Sequence, residues 1–249
     1  MGDLGNQHWP ENECIIRKMK EQVDLNLGDG KWSELTGDNA PDASMDCFDL
    51  CKATGSFFAK FDKIADEKMA NKIFSQVRHG LTHADFTWAR EKFLQYNDID
   101  SFAKAILGEQ LAELKSHMQN DTLFYGQPIT PEGFEFVSST ENIFYGKRYG
   151  NKILSTAIPC MTADYLKATD ERQKRYHMCH CQFARESILG DTPVSKSLCY
   201  CSMGHTKIFW ETILDTHLEG DVIMSALGGD EICKFVIYLP DEVMKKYVK

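Results

Sequence analysis

The sequence lacks the long apolar runs that membrane-spanning and exported proteins carry. No stretch of its 249 residues approaches the ~20 consecutive apolar residues that a helix needs to cross a bilayer. The polar, acidic segment from Met1 to Glu13 also lacks the apolar core of a signal peptide. These two absences predict a cytoplasmic protein that does not associate with a membrane.

Basic patches and nucleotide-binding motifs are scarce as well. The net charge of -9 and the pI near 5.4 argue against a nucleic-acid partner, because binding phosphates needs clustered lysines and arginines. The mixed run of charges at residues 167–175 is typical of a solvated helix surface. The sequence contains no Gly-rich phosphate loop, dinucleotide fingerprint or serine-hydrolase elbow. Nucleotide-dependent enzymes and α/β-hydrolases are therefore disfavoured.

Cysteine and histidine are abundant by contrast, and they are concentrated in one stretch. Nine cysteines, an odd number, in a chain without an export signal are more typical of thiols or metal ligands than of disulfides. Four of them fall with two histidines in the strings His177-Met-Cys-His-Cys181 and Cys199-Tyr-Cys201. Residues at i and i+2 point to the same face of an extended strand. Each Cys-x-Cys is therefore expected to present two thiols on one side.

Two such strings lying next to each other predict a zinc centre. A tetrahedral zinc site needs four ligands, with Zn–S bonds of ~2.3 Å. The spacing is tighter than the Cys-x₂₋₄-Cys of most structural zinc sites, so replacement of one sulfur by His177 or His180 is an alternative. The candidate metal ligands are Cys179, Cys181, Cys199 and Cys201.

A thiol-based active site is the main alternative to the metal centre. A cysteine nucleophile needs a nearby base, and the base needs a group that orients it. The candidate catalytic residues are Cys179, His180 and Cys199, with His177 or His205 as other bases and Glu186 or Glu211 as orienting groups. A third interpretation is that these cysteines are only small buried residues of a tightly packed sheet. That role would explain a single cysteine more easily than it explains two Cys-x-Cys strings. His79 and His83 flank a helix junction, where a histidine usually just binds a carbonyl.

Changes in residue pattern divide the chain into three predicted parts. Turn-forming residues dominate 1–44, which predicts a loosely packed leader arm. Apolar residues recur at helical spacing over 45–120, which predicts a helical region. Short alternating runs follow over 121–249. The predicted fold class is α+β, with the N-terminal helical region followed by an antiparallel sheet that has helices packed on one face.

Short apolar runs carry the prediction of the sheet. The Gly228-Gly229 pair between two such runs is a strong hairpin signal. The segments expected to be extended are Gly133–Ser138, Ile153–Ile158, Tyr176–Cys181, Val222–Ala226 and Cys233–Leu239.

A segment near the C-terminus has a recognisable pattern. The segment begins at Gly204 and continues with a helix that contains Trp210 and Leu214. A strand from Val222 to Ser225 follows. The segment ends with the sequence Gly229-Asp-Glu-Ile-Cys-Lys-Phe-Val-Ile237. Over about residues 125–240 it resembles the 4-vinyl-reductase-like domain family, of which the Gly-Asp-x-x-Cys-x-Phe-x-Ile ending is the most recognisable part. The related aminothiazoline-carboxylate hydrolase-like proteins share a similar ending.

The resemblance implies a sheet and helices that enclose a pocket for a small, often hydrophobic ligand. Cysteine-rich members of the family are suspected of binding metal. Cys233 matches a pocket-wall or structural cysteine of the family pattern. With His177 and His180 of the first string, Cys233 completes the set of candidate ligand-binding residues.

We therefore expect a small-molecule or metal-binding protein in a sensory or accessory role, with the Cys/His cluster at its site and zinc as its cofactor. The alternative is a hydrolase that acts on a small heterocycle or amide through a metal-bound water or a Cys–His nucleophile. Whether the protein is an enzyme is left open. The expected partner is a small-molecule ligand, with a homodimer as a further candidate and with nucleic acid and membrane excluded.

Overall fold

The structure, a computed structural model, describes residues 10–190 and 192–249. N-terminal helices precede a four-stranded antiparallel sheet, which confirms the predicted α+β class. Contacts between Cα atoms divide the chain into two compact units. The first unit runs to Leu81 and takes up the chain again over His180–His205. The second unit comprises Thr82–Cys179 and Thr206–Lys249.

The elements follow one another along the described chain in a simple order. The first six helices are α1 (Pro10–Leu27), α2 (Lys31–Thr36), α3 (Cys47–Phe61), α4 (Glu67–Phe74), α5 (Thr87–Tyr96) and α6 (Ile99–Gln119). The remaining elements are α7 (Pro131–Ser139), β1 (Lys147–Tyr149), β2 (Lys152–Thr156), α8 (Thr162–Lys167), α9 (Glu171–Met178), α10 (Arg185–Leu189), α11 (Cys199–Leu214), β3 (Glu219–Met224), β4 (Lys234–Tyr238) and α12 (Asp241–Tyr247). Short 3₁₀ turns lie at Arg78–Gly80, His83–Phe86 and Lys196–Leu198.

An aromatic core holds the helices of the first unit together. Asp46 caps α3 by accepting the backbone N–H groups of Phe48 and Asp49, which fixes where that helix begins. The rings of α3 then pack edge-on and tilted against Phe74 of α4. The fully buried rings are Phe57, Phe58, Phe61 and Phe74.

The leader arm expected from the sequence is a packed part of this unit over its described residues. Helices α1 and α2 bury Met19, Val23 and Trp32. The ring of Trp32 lies 4.9 Å from that of Phe57. The turn-forming residues of the arm connect packed helices. Residues 1–9 of the predicted arm lie outside the described residues.

The second unit contains the sheet, in the order β1-β2-β4-β3. Strands β3 and β4 pair antiparallel with Val222 opposite Phe235, which confirms the hairpin predicted around the glycine pair. Strand β2 pairs with the other edge of β4, placing Leu154 opposite Val236. Phe235 and its neighbours on β4 are buried, so this central strand forms the core of the sheet.

Two of the predicted strands are helices. The alternating segment Gly133–Ser138 lies inside α7, which Thr130 caps and in which Pro131 takes the first helical position. The segment Tyr176–Cys181 begins as the last turn of α9. In both places a capping residue, Thr130 or Asp170, outweighs a short alternating pattern because it satisfies backbone N–H groups at the start of the helix.

The limits of the two units differ from the part boundaries predicted after residues 44 and 120. Compact units of contacts are not the same as independently folding domains, so the predicted boundaries stay a prediction. No helix within residues 10–190 and 192–249 is long and apolar enough to cross a membrane.

Candidate functional site

The Cys199-Tyr-Cys201 string begins helix α11 and is not a strand. Residues at i and i+2 of an α-helix lie about 200° apart around the axis, because each residue turns by about 100°. The two thiols therefore point in different directions: Cys201 is buried, whereas Cys199 is half-buried. The expectation that this string presents both thiols on one face is wrong.

The His177–Cys181 string forms the chain between α9 and α10. Cys179 follows the last residue of α9 in an extended conformation, and its N–H donates to the carbonyl of Arg175. The carbonyl of Cys181 then accepts the N–H groups of Ala184 and Arg185, which begins the next helical turn. His177 and Cys179 belong to the second unit, whereas His180 and Cys181 belong to the first.

A preformed metal centre is not found in the described part of the chain. All nine cysteines lie within the described residues, and all are thiols rather than disulfides. Among the same residues, no group of three or more His, Cys, Asp or Glu side chains is arranged to hold a metal ion. The four-sulfur zinc centre at Cys179, Cys181, Cys199 and Cys201 therefore stays a prediction.

Cys233 lies in the second unit at the end of the Gly228-Gly229 turn. Its Sγ accepts the N–H of Ala226 at 3.4 Å, and its carbonyl accepts the N–H of Ala157 at 3.0 Å. The first contact holds the turn against the start of β4, and the second ties the start of β4 to the end of β2. Cys233 therefore takes part in holding this hairpin together, and its assignment to ligand binding stays a prediction.

The first unit brings together a group of side chains that we call the imidazole–thiol cluster: His79, His180, Cys201 and His205. The rings of His79 and His205 are stacked, with centroids 5.4 Å apart and planes inclined by 24°. The backbone N–H of His79 donates to Sγ of Cys201 at 3.3 Å. His180 is close enough to influence the pKa of both stacked rings.

A left-handed turn presents His79 to this cluster. Arg78, His79 and Gly80 have φ angles of 58°, 51° and 78°, a conformation that residues other than glycine adopt rarely. A Cβ on Gly80 would lie 2.8 Å from Sγ of Cys14, so α1 packs directly against the turn. The turn directs backbone N–H groups of both Arg78 and His79 at Cys201. Backbone strain of this kind tends to be concentrated at functional sites.

Burial keeps His79, Cys201 and His205 uncharged at neutral pH. It lowers the pKa of His79 to about 3, with repulsion from His205 and His180 as lesser causes. Burial, with a contribution from His180, lowers the pKa of His205 to about 4. It also raises the pKa of the Cys201 thiol to about 12, against the effect of the two N–H donors. The two imidazoles nevertheless keep part of their surface accessible, so a small ligand can reach them.

These shifts make stability depend on pH in a definite direction. Between pH 6.5 and about 4 the unfolded chain binds protons at His79 and His205, whose ordinary pKa is 6.5, whereas the folded chain does not. Stability is therefore full above pH 6.5 and should fall as the pH drops towards 4 and then 3. Urea unfolding at pH 7.5, 6 and 5 measures this loss.

Variants of these histidines distinguish the contribution of the cluster from that of other groups that bind protons in acid. The double variant His79→Gln/His205→Gln should lose less stability between pH 7.5 and 5 than the wild type. His83→Gln, which alters a histidine outside the cluster, should follow the wild type. An equally steep loss in the double variant would contradict the assignment.

Comparison with known proteins gives no relative. No family model, curated protein or solved structure matches the chain. The resemblance to the 4-vinyl-reductase-like family stays a prediction, and the geometry of the cluster carries the functional argument.

His79 is the member of the cluster that sequence reasoning did not include among the site residues. Its position at a helix junction favoured a purely structural role. His79 lies in an Arg-His-Gly sequence that forms a left-handed turn, in which two residues with a Cβ precede the glycine. Local propensity alone does not predict such a turn.

Proposed function

We propose that this is a metal- or small-molecule-binding protein whose site is the imidazole–thiol cluster, with zinc as the metal and with a sensory or accessory role. The observation that carries the proposal is the stacked pair His79 and His205 beside the Cys201 sulfur. We also propose that the protein is located in a reducing compartment such as the cytoplasm, which would keep that sulfur a thiol.

The donor set supports a borderline soft cation. Neutral imidazole is the commonest metal ligand in proteins, and pKa values of about 3 and 4 remove competition from protons at neutral pH. A bound cation would also compensate the charge of the Cys201 thiolate, since a coordinating thiol is deprotonated. Three imidazoles and one thiolate suit Zn²⁺ better than they suit Mg²⁺ or Ca²⁺. These side chains are not arranged as a preformed metal centre in the described residues, so binding would require the rings to reorient.

Titration with Co²⁺, a spectroscopic substitute for Zn²⁺, tests the proposal on the reduced full-length protein. We expect about one Co²⁺ per chain at this cluster, marked by a near-ultraviolet thiolate-to-cobalt charge-transfer band that added Zn²⁺ removes. Cys201→Ser should lose the charge-transfer band. His79→Gln/His205→Gln should lose high-affinity binding, whereas Cys233→Ser should keep both signals. A wild-type protein without any thiolate-to-cobalt band would refute the cluster as a metal site.

A hydrolase is the second candidate function, and one observation favours it. The N–H groups of Arg78 and His79 that meet at Cys201 favour the thiolate form of this residue, which is the form that a cysteine nucleophile needs. Cys201 would be the nucleophile and His205 the proton acceptor. The raised pKa of the thiol makes this weaker than the metal proposal, because the thiolate is the reactive form.

Alkylation with iodoacetamide distinguishes the two candidates. Metal binding predicts that Cys201 reacts slowly and that Zn²⁺ slows it further. A nucleophile predicts one cysteine that reacts much faster than the other eight, identified by mass spectrometry. Fast labelling at Cys179 or Cys199 would favour the catalytic residues predicted from the sequence instead.

A further inference from the structure

Away from the cluster, the second unit contains a buried pair of opposite charges on α11. The side chains of Lys207 and Glu211 are 3% and 2% exposed, and Lys207 Nζ lies 3.8 Å from Glu211 Oε1. Residues four apart on a helix are neighbours on one face, so the pair is formed within a single element. The buried ammonium group balances the charge of the carboxylate.

The same carboxylate fixes the orientation of an exposed histidine. His217 Nδ1 lies 2.9 Å from Glu211 Oε1, and the N–H of Leu218 donates to that oxygen at 3.0 Å. A carboxylate only accepts hydrogen bonds, so Nδ1 of His217 carries the proton. The other ring nitrogen, Nε2, then faces away from Glu211.

Nε2 of His217 faces a second carboxylate. It lies 3.5 Å from Glu219 Oε1, at the start of β3, and the two side chains are 64% and 80% exposed. With Nδ1 protonated, Nε2 offers a lone pair, and so does the carboxylate oxygen. Both atoms are donors of the kind that bind divalent cations, and both are open to solvent, from which a metal ion could reach them.

The separation fits a metal ion. Two ligands with bonds of ~2.1 Å at a tetrahedral angle lie roughly 3.4 Å apart, close to the 3.5 Å measured between these two atoms. An imidazole held at its other nitrogen by a carboxylate is also the usual setting of a zinc-bound histidine.

We propose that His217 Nε2 and the Glu219 carboxylate bind a divalent cation of the zinc type, and that Glu211 positions the imidazole. Two protein donors leave the remaining coordination positions to water or to a ligand. The site has imidazole and carboxylate donors and no sulfur, and none of its residues belongs to the imidazole–thiol cluster.

The experiment observes the His217 ring itself. Long-range ¹H–¹⁵N spectra of the full-length protein are recorded during a Zn²⁺ titration at pH 7.5, with the His217 signals assigned from a His217→Gln variant. We expect a saturable shift of the Nε2 signal. Glu219→Gln, on the surface, should weaken binding at least about tenfold, and Glu211→Gln should weaken it about 10–100-fold. The control Glu242→Gln alters an exposed carboxylate on α12 and should bind as the wild type does.

Two results would overturn the site. The first is a Nε2 signal that responds to pH but not to Zn²⁺, which would show that a proton occupies the position. The second is a Zn²⁺ response that survives Glu219→Gln unchanged, which would remove that carboxylate from the ligand set. Because Glu219 is exposed, its replacement tests binding even if Glu211→Gln prevents folding. Neither result alters the cobalt signature of Cys201, so the two proposals fail separately.

Discussion

Gly204→Ala should destabilise the protein by about 3 kcal/mol, because the added methyl group meets backbone that has no room to move. A Cβ at this position would lie 2.4 Å from the carbonyl oxygen of Ser75 and 2.9 Å from its carbon. Ser75 ends α4, so the first turns of α11 would have to separate from the end of that helix. Gly204 stands between Cys201 and His205, and we expect the cobalt charge-transfer band to weaken in the same variant.

Gly108→Ala is the matched control for this prediction. Gly108 also lies within a helix, α6, but a Cβ there would meet nothing within 4 Å. Alanine should therefore stabilise the protein there by up to about 1 kcal/mol, because glycine loses more backbone entropy in a helix. Thermal and urea unfolding give both values. Equal effects of the two substitutions would mean that α11 and the end of α4 are not in the close contact described.

The parts of the fold that the sequence predicted correctly are those with local causes. The glycine pair between two alternating runs predicted the β3–β4 hairpin, because a tight turn and the pairing it allows depend on neighbouring residues. The same reasoning failed where two local signals disagreed. In α7 the run Phe134, Phe136 and Ser138 suggested a strand, but Thr130 and Pro131 just before it set the helix.

The site was predicted less completely, for a physical reason. Cys201 attracts attention because it belongs to a Cys-x-Cys string, and His205 because it is a possible base close to that string in sequence. Their partner His79 is 122 residues away from Cys201 in sequence, and nothing local indicates that contact. The sequence therefore indicates where cysteines and histidines are concentrated. The left-handed turn at Arg78 and His79 decides which of them come into contact.

The two proposed sites use histidine in opposite ways. His79 and His205 are held neutral by burial, so a ligand that binds them does not have to displace a proton from an imidazolium group. His217 is exposed, and a buried carboxylate holds its ring in one orientation. Burial selects the protonation state in the first case, and a hydrogen bond selects the tautomer in the second.

Gly146→Ala should have the other large effect, a loss of at least about 3 kcal/mol. Gly146 directly precedes β1 and has a φ of +90°. A Cβ would lie 2.1 Å from the carbonyl oxygen of Leu154 on the neighbouring strand and 3.0 Å from Cα of Ser155. The contact is with backbone inside a paired strand, so relief requires moving β1 away from β2. Urea unfolding followed by far-ultraviolet circular dichroism measures the loss.

Gly150→Ala separates the steric clash from the cost of the backbone conformation. Gly150, in the turn between β1 and β2, also has a positive φ, +59°, but a Cβ there would meet nothing within 4 Å. Its replacement should cost only the roughly 1–2 kcal/mol of a left-handed residue. Trp210, whose indole N–H donates to the carbonyl of Tyr145 at 2.9 Å, gives a fluorescence signal beside Gly146. That signal should change in Gly146→Ala and stay the same in Gly150→Ala. If both variants lose the same stability, conformation alone accounts for the effect, and the close approach of β2 to Gly146 is refuted.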